Sequence, residues 1–381
     1  MKNKKQKFSF ILSLVLVINL ISLATIYAWG TVAEELEKTQ SNIISKASDY
    51  LIESMNDNGS FGKETDIINE TAETVSVLND FKEFDEIKSV KWLKDNGYKD
   101  NNDTMARTII ATKDGELLEE LLSSMNNDGG FGLHKNHTSD VLDSILALEA
   151  INSCGSSVYA KEGLKICNYL AQVSNENGSW SYSKDSESDL ILTAQAVYSI
   201  SKFMSNNSYS SKEINDLFNK SKTFFESIGE LNFEKSSIDK TLYIQLALMQ
   251  VDGKIDYKAI VNSLSDIQAK NGSFYDDVHI TSLVVKLLNN MDFNKSFRIN
   301  SMNTALFSFI QISSIMQSSS TFFVRLSDAD WVREKMRSFS RRYKTILIAT
   351  GNENYVTDGF SEFFISNGND KFDRIVGVSS I

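Results

Sequence analysis

The chain has 381 residues, 41% of them hydrophobic, which is ample for a large buried core. Its formal charge of −11 excludes a broad nucleic-acid footprint and favours neutral or cationic ligands, or acidic ones only with a metal between. Proline is absent, and the two cysteines, Cys154 and Cys167, show no CxxC spacing, so neither a disulfide framework nor a thiolate metal site is indicated.

Lys2, Lys4, Lys5 and Lys7 precede an uncharged apolar run from Phe8 to Ala33. A basic segment followed by an apolar one is the mark of export. Residues 1–33 therefore read as a signal peptide, cleaved after Ala28 or Ala33, or as an uncleaved N-terminal membrane anchor. Either way the chain from Glu34 onward is expected outside the membrane, secreted or held at the cell surface, with the cell envelope as its surroundings.

From Glu34 to Met55 apolar residues recur at helical spacing, ending at Asn56-Asp57-Asn58-Gly59-Ser60-Phe61-Gly62. A helix over Glu70–Phe81 follows, then a weaker copy of the turn at Asp95-Asn96-Gly97-Tyr98 and a helix around Met105–Ala111. The clearest copy is Asn126-Asn127-Asp128-Gly129-Gly130-Phe131-Gly132, which leads into a helix carrying Val141, Leu142, Ile145 and Leu148. Asn177-Gly178-Ser179-Trp180 precedes a helix over Asp189–Met204, a degenerate copy at Phe233 precedes Asp239–Gln250, and Asn271-Gly272-Ser273-Phe274 precedes Val278–Leu288. The turn aromatics lie 33 to 53 residues apart, a spacing that fits two helices per unit. Each helix alone would expose an apolar stripe, so the hairpins must stack, in an open superhelix or as an inner ring of six helices inside an outer six. Variable repeat length favours the closed ring.

These Gly-Ser/Gly-aromatic turns resemble the repeats of the terpenoid cyclase and protein prenyltransferase superfamily, best at Asn127–Gly132 and Asn177–Tyr182. The resemblance covers roughly residues 36 to 291 and implies an all-α fold, an (α/α)6 toroid over residues 34–292. It carries none of the superfamily's reactive groups into this chain. No Asp-x-Asp-Asp motif, the acid of the alkene-protonating cyclases, is present. The Asp-x-Cys pair of the zinc-binding prenyltransferases is missing, since Asn152 and Lys165 stand two before the cysteines. Ser153-Cys154-Gly155-Ser156 also lacks the thioester motif of the complement-like members.

Residues 293–381 change character and are expected to form a small α/β-like segment. Strands are predicted at 321–326 and 374–378, and an apolar β-branched run at 345–349. Helices are predicted over Asp328–Tyr343, rich in arginine, and over Tyr355–Phe364; the order suggests a β-α-β piece with a parallel sheet. The basic helix reads as a solvated face, or as a patch for anionic polymer or lipid headgroups.

The residues just after each turn should surround one mouth of the ring, and they are acidic: Asp66, Glu70, Asp103, Asp140, Asp143, Asp189, Asp239 and Asp277. Each is also a natural cap or first-turn residue for its helix. The three histidines of the chain, His134, His137 and His279, fall on the same side and are weak candidates for metal ligands. Asp140, Asp143, His137 and Asp189 are the catalytic candidates, by analogy with paired carboxylates in glycosidases. Trp180, Tyr182, Tyr275 and Asp277 are the ligand-binding candidates, the aromatics as platforms for sugar rings. The sequence requires no cofactor. The leading expectation is a ligand-binding or surface-interaction module working through the acidic mouth, for a small-molecule, isoprenoid or glycan ligand. The alternative is an enzyme at that mouth, a glycan hydrolase or lyase, or a divergent cyclase.

Overall fold

The computed structural model describes residues 34–291, apart from 64–65, 80, 82–83, 85, 98–100, 184–185, 230, 252 and 254, and the backbone of three strands at 322–323, 363–366 and 375–378. Leu36–Met291 forms one compact unit; the strands belong to a second.

In the first unit twelve helices alternate between two layers. The inner ones are α2 (Ile67–Leu78), α4 (Asn102–Thr112), α6 (Val141–Cys154), α8 (Leu190–Asn206), α10 (Ile238–Gln250) and α12 (Val278–Asn289). Each packs on the next, and α12 packs back on α2, so the ring is closed. The outer ones are α1 (residues 34–53), α3 (Glu86–Asn96), α5 (Gly115–Leu122), α7 (Ala160–Gln172), α9 (Lys212–Glu226) and α11 (Tyr257–Ile267). Outer helices bury one stripe, as α9 does with Ile214, Leu217, Ser221 and Phe225. Inner helices are flanked on three sides and bury residues around most of their circumference, as α8 does from Leu192 to Met204.

The recurring turn joins each outer helix to the next inner one by one set of bonds. The side-chain oxygen of Asn58, Asp128, Asn177 or Asn271 accepts from the backbone N–H two residues on. The next residue is an aromatic, completely buried at Phe61, Phe131, Trp180 and Phe274. Its backbone N–H donates to a hydroxyl one turn into the inner helix: Thr71, Ser144 and Thr193 at 2.9 Å, Thr281 at 3.0 Å. Two conditions demand glycine here. Gly129 and Gly272 have φ of 87° and 89°, and a Cβ would lie 2.7 Å from the Lys165 carbonyl oxygen in one case and 2.0 Å from that of Lys46 in the other. Each turn thus lies against the following outer helix, and Gly272 lies against α1. At the degenerate repeat the pattern loosens, and Phe233 is only half-buried. Tyr98 lies outside the described residues.

The second unit departs from expectation. Its sheet is antiparallel, with β3 (Ile375–Val378) between β1 (Phe322–Phe323) and β2 (Phe363–Ser366). Phe363 pairs with Val378 and Ser366 with Ile375. Phe363 and Phe364, predicted to end a helix, begin a strand instead; a short apolar aromatic run carries no period that separates the two. The parallel β-α-β reading is therefore corrected. The predicted basic helix and the 345–349 run lie outside the described residues.

Candidate functional site

Inward-facing positions on the inner helices can be counted from a Thr or Ser one turn in. Two residues beyond Thr71, Thr108, Ser144, Thr193 and Thr241 stand Glu73, Ile110, Leu146, Gln195 and Tyr243, and all five line one cavity at the centre of the ring. Three residues further on, Ser76 and Glu149 add a second level, joined by Lys286 five residues beyond Thr281. Arg107, His279, Asp66, Asn69, Glu70 and Asp277 line the end nearer the turns. The cavity has a volume of about 450 Å³.

Charge dominates its walls. Glu73 Oε2 lies 2.7 Å from His279 Nδ1, and Oε1 lies 3.8 Å from Lys286 Nζ. Burial works against ionising Glu73, but His279, Lys286 and Arg107 overcome it and hold the carboxyl down at about 2. Burial likewise opposes a charged His279, yet the Glu73 charge and hydrogen bond push it up to about 9. For Lys286 the cost of burial is outweighed by Glu149 and then Glu73, which raise it above its ordinary value. Its ammonium stands 5.7 Å from the centre of the Tyr198 ring. Arg107 is committed to Asp103, with Nε 2.7 Å from Oδ1. Across the cavity Glu149 accepts from Ser199 Oγ at 2.8 Å. Burial, and then the Glu73 charge, raise the Tyr243 phenol above its ordinary value, so it stays a neutral hydroxyl.

Residues 87–238 match the prenyltransferase alpha-alpha toroid domain family. The closed two-layer ring of helices is an alpha-alpha toroid. Among solved structures the toroid is similar to the type II terpene cyclase MstE from Scytonema without ligand, at 13% identity, over 66% of this chain and 97% of that one, with a TM-score of 0.50. A point variant of that cyclase aligns at 12% identity over 68% and 98%, with a TM-score of 0.51. No curated protein matches the chain. At this identity the likeness carries the fold alone, and function has to be argued from the site.

The toroid places the sequence-predicted residues in several settings. Asp140, Asp189 and Asp277 are N-caps, accepting from the backbone of Asp143, Leu192 and Ile280 at 2.9, 2.8 and 2.9 Å. Asp143 is buried beside Asp140. Burial, then the hydrogen bond and charge of Asp140, then Asp103, push its carboxyl up to about 8. Trp180 is no platform: it is completely buried, and its indole N–H donates to the Leu170 carbonyl at 2.8 Å. Its ring fills the core under the turn, as Phe131 does, and leaves no face for a sugar. Tyr182 is 60% exposed. Tyr275 takes a left-handed φ of 60° and donates its hydroxyl to the Phe233 carbonyl.

The three histidines divide. His134 and His137 meet edge to face at 4.8 Å in the loop before α6, whereas His279 lies in the central cavity against Glu73. Among the described residues no group of three or more His, Cys, Asp or Glu side chains is placed to hold a metal ion, and no helix is long and apolar enough to cross a membrane. Of the residues predicted at the mouth, the cavity gathers Asp66, Glu70, Asp277 and His279. Sequence reasoning missed Glu73, Arg107, Glu149, Gln195, Tyr243 and Lys286. The available signal was a lone charge inside an apolar inner helix, as in Leu146-Ala147-Leu148-Glu149-Ala150-Ile151 and Leu283-Val284-Val285-Lys286-Leu287-Leu288.

Proposed function

We propose that this protein is an exported toroid that binds a small polar molecule at the centre of its ring, without isoprenoid cyclisation. One observation carries the reading: the cavity is walled by Glu73, Arg107, Glu149, Gln195, Tyr243, His279 and Lys286, whereas a long hydrocarbon needs apolar walls. The missing Asp-x-Asp-Asp acid points the same way. The basic segment and apolar run at residues 1–33 support placement outside the cytoplasm, secreted or anchored at the cell surface.

The test is calorimetric titration of the full chain with N-acetylglucosamine and glucosamine, and separately with geranylgeranyl diphosphate. Saturable binding of a sugar and none of the isoprenoid is the expected result. Binding or turnover of the isoprenoid reverses it.

A second reading has one specific support. Asp143, neutral near pH 7 beside Asp140, is poised as a general acid for an enzyme at the mouth, of the glycan hydrolase or lyase type. Release of reducing ends from a polysaccharide, abolished in Asp143→Asn, would bring that reading forward.

A further inference from the structure

The central cavity has two unlike walls. On α2, α4 and α12 the charges are tied together: Glu73 with His279 and Lys286, and Arg107 with Asp103. On α6, α8 and α10 no ion pair closes among the described residues: Glu149 attracts Lys286 across the cavity without a contact within 4 Å. The Gln195 amide and the Tyr243 hydroxyl line the cavity and have no hydrogen-bond partner among the described residues. Glu149 accepts only from Ser199 and makes no ion pair among them. Polar groups inside a fold are normally satisfied, so three adjacent helices presenting open ones to one cavity mark a place for a ligand's own polar groups.

Charge then selects among polar ligands. The lining holds five carboxylates against three cations, and one of those cations, Arg107, already serves Asp103 outside the lining. The interior is therefore negative even with His279 protonated. The resident Lys286 ammonium, drawn to Glu149 and Glu73 beside the Tyr198 ring, already illustrates which head group these surroundings accept.

Building on the polar-ligand reading above, we infer that the cavity selects a hydroxylated primary amine of amino-sugar size. Its ammonium is held at the free oxygen of Glu149, and its hydroxyls are read by Tyr243 and Gln195. A carboxylate and two neutral donor–acceptor groups on neighbouring helices match that pattern, and an anion or a hydrocarbon would leave them unpaired.

Glucosamine and N-acetylglucosamine separate charge from shape, since they share ring and hydroxyls and differ in the amine. Titrated into the full chain, glucosamine should bind at least about tenfold more tightly, the scale of one charge-assisted hydrogen bond. Glu149→Gln keeps the volume and removes the charge, and should bring the two sugars level. If that variant unfolds, Tyr243→Phe keeps the packing, and should weaken glucosamine several-fold while leaving the melting profile unchanged. Equal affinity for the two sugars in the parent chain overturns the amine selection and leaves the polar-ligand reading standing, as does glucosamine binding that Glu149→Gln and Tyr243→Phe leave untouched. Binding of geranylgeranyl diphosphate with neither sugar overturns both.

Discussion

Glu73 on α2 receives its hydrogen bond from His279 on α12, so one 2.7 Å contact ties the first inner helix to the last. Its dependence on pH follows from the two shifts. His279 is raised from 6.5 to about 9, so its contribution is complete below pH 6.5 and is lost as pH rises through 9. Glu73 is lowered from 4.5 to about 2, so its contribution is complete above pH 4.5 and is lost as pH falls through 2. The pair therefore works fully between about pH 4.5 and 6.5. The difference in melting temperature between the parent chain and Glu73→Gln should be largest near pH 5.5 and clearly smaller at pH 9.5. A difference that does not change between those two values would deny the pair its role at the seam.

Asp143 should destabilise the fold where the Glu73–His279 pair supports it, and increasingly so as pH rises. Its carboxyl titrates near 8 in the folded state against 3.8 in the free side chain, so the folded chain binds more protons between those values. Stability falls as pH rises through that window. Asp143→Asn removes this term, so the variant should melt above the parent at pH 8.5 and gain less at pH 5. Parallel melting curves for the two chains across pH would show that no proton is held there.

Gly272 should tolerate alanine far less well than Gly155. Both have positive φ, at 89° and 101°, but a Cβ at Gly272 meets the Lys46 carbonyl at 2.0 Å while one at Gly155 meets nothing within 4 Å. Gly155→Ala should cost about 1–2 kcal/mol from backbone strain alone. Gly272→Ala should cost about 2–5 kcal/mol, since overpacking adds to the strain. Urea unfolding measures both, and equal losses would mean that α1 does not lie where the ring closes.

Thr193→Val tests the turn. The valine fills the same space but leaves the buried Trp180 N–H without its acceptor at 2.9 Å, at a cost of about 1–3 kcal/mol. Chemical denaturation should show that loss, with sugar binding at the cavity unaltered. A silent substitution would make the shared hydroxyl dispensable.

The turn grammar made much of this architecture legible. Glycine, an aromatic and a following helix recur because one hydrogen-bonding unit recurs, and the predicted helices overlap the observed inner ones within a few residues, as Val278–Leu288 does α12. The same grammar, applied consistently, would have placed Trp180 in the core beside Phe131, since both occupy one position of the repeat. The central cavity was much harder to read. Glu149 and Lys286 sit in apolar helices with no motif around them, and what makes them a site is their arrangement across the ring, between helices more than a hundred residues apart in the chain. The acidic residues after the turns were conspicuous for another reason: Asp140, Asp189 and Asp277 mark helix starts.

The seat of Gly272 on the Lys46 carbonyl has a consequence for synthesis. α1 is the first helix of the ring to be made, yet the segment that covers it is the last. Gln268 donates to the Ile43 carbonyl, and Ile43, Ala47 and Leu51 are fully buried in the ring. At ribosomal speeds of roughly 5–20 residues per second that apolar stripe waits on the order of tens of seconds for its partner. Such a ring is completed at a single late event joining distant ends, so a nascent chain is most vulnerable to aggregation and proteolysis at its own beginning.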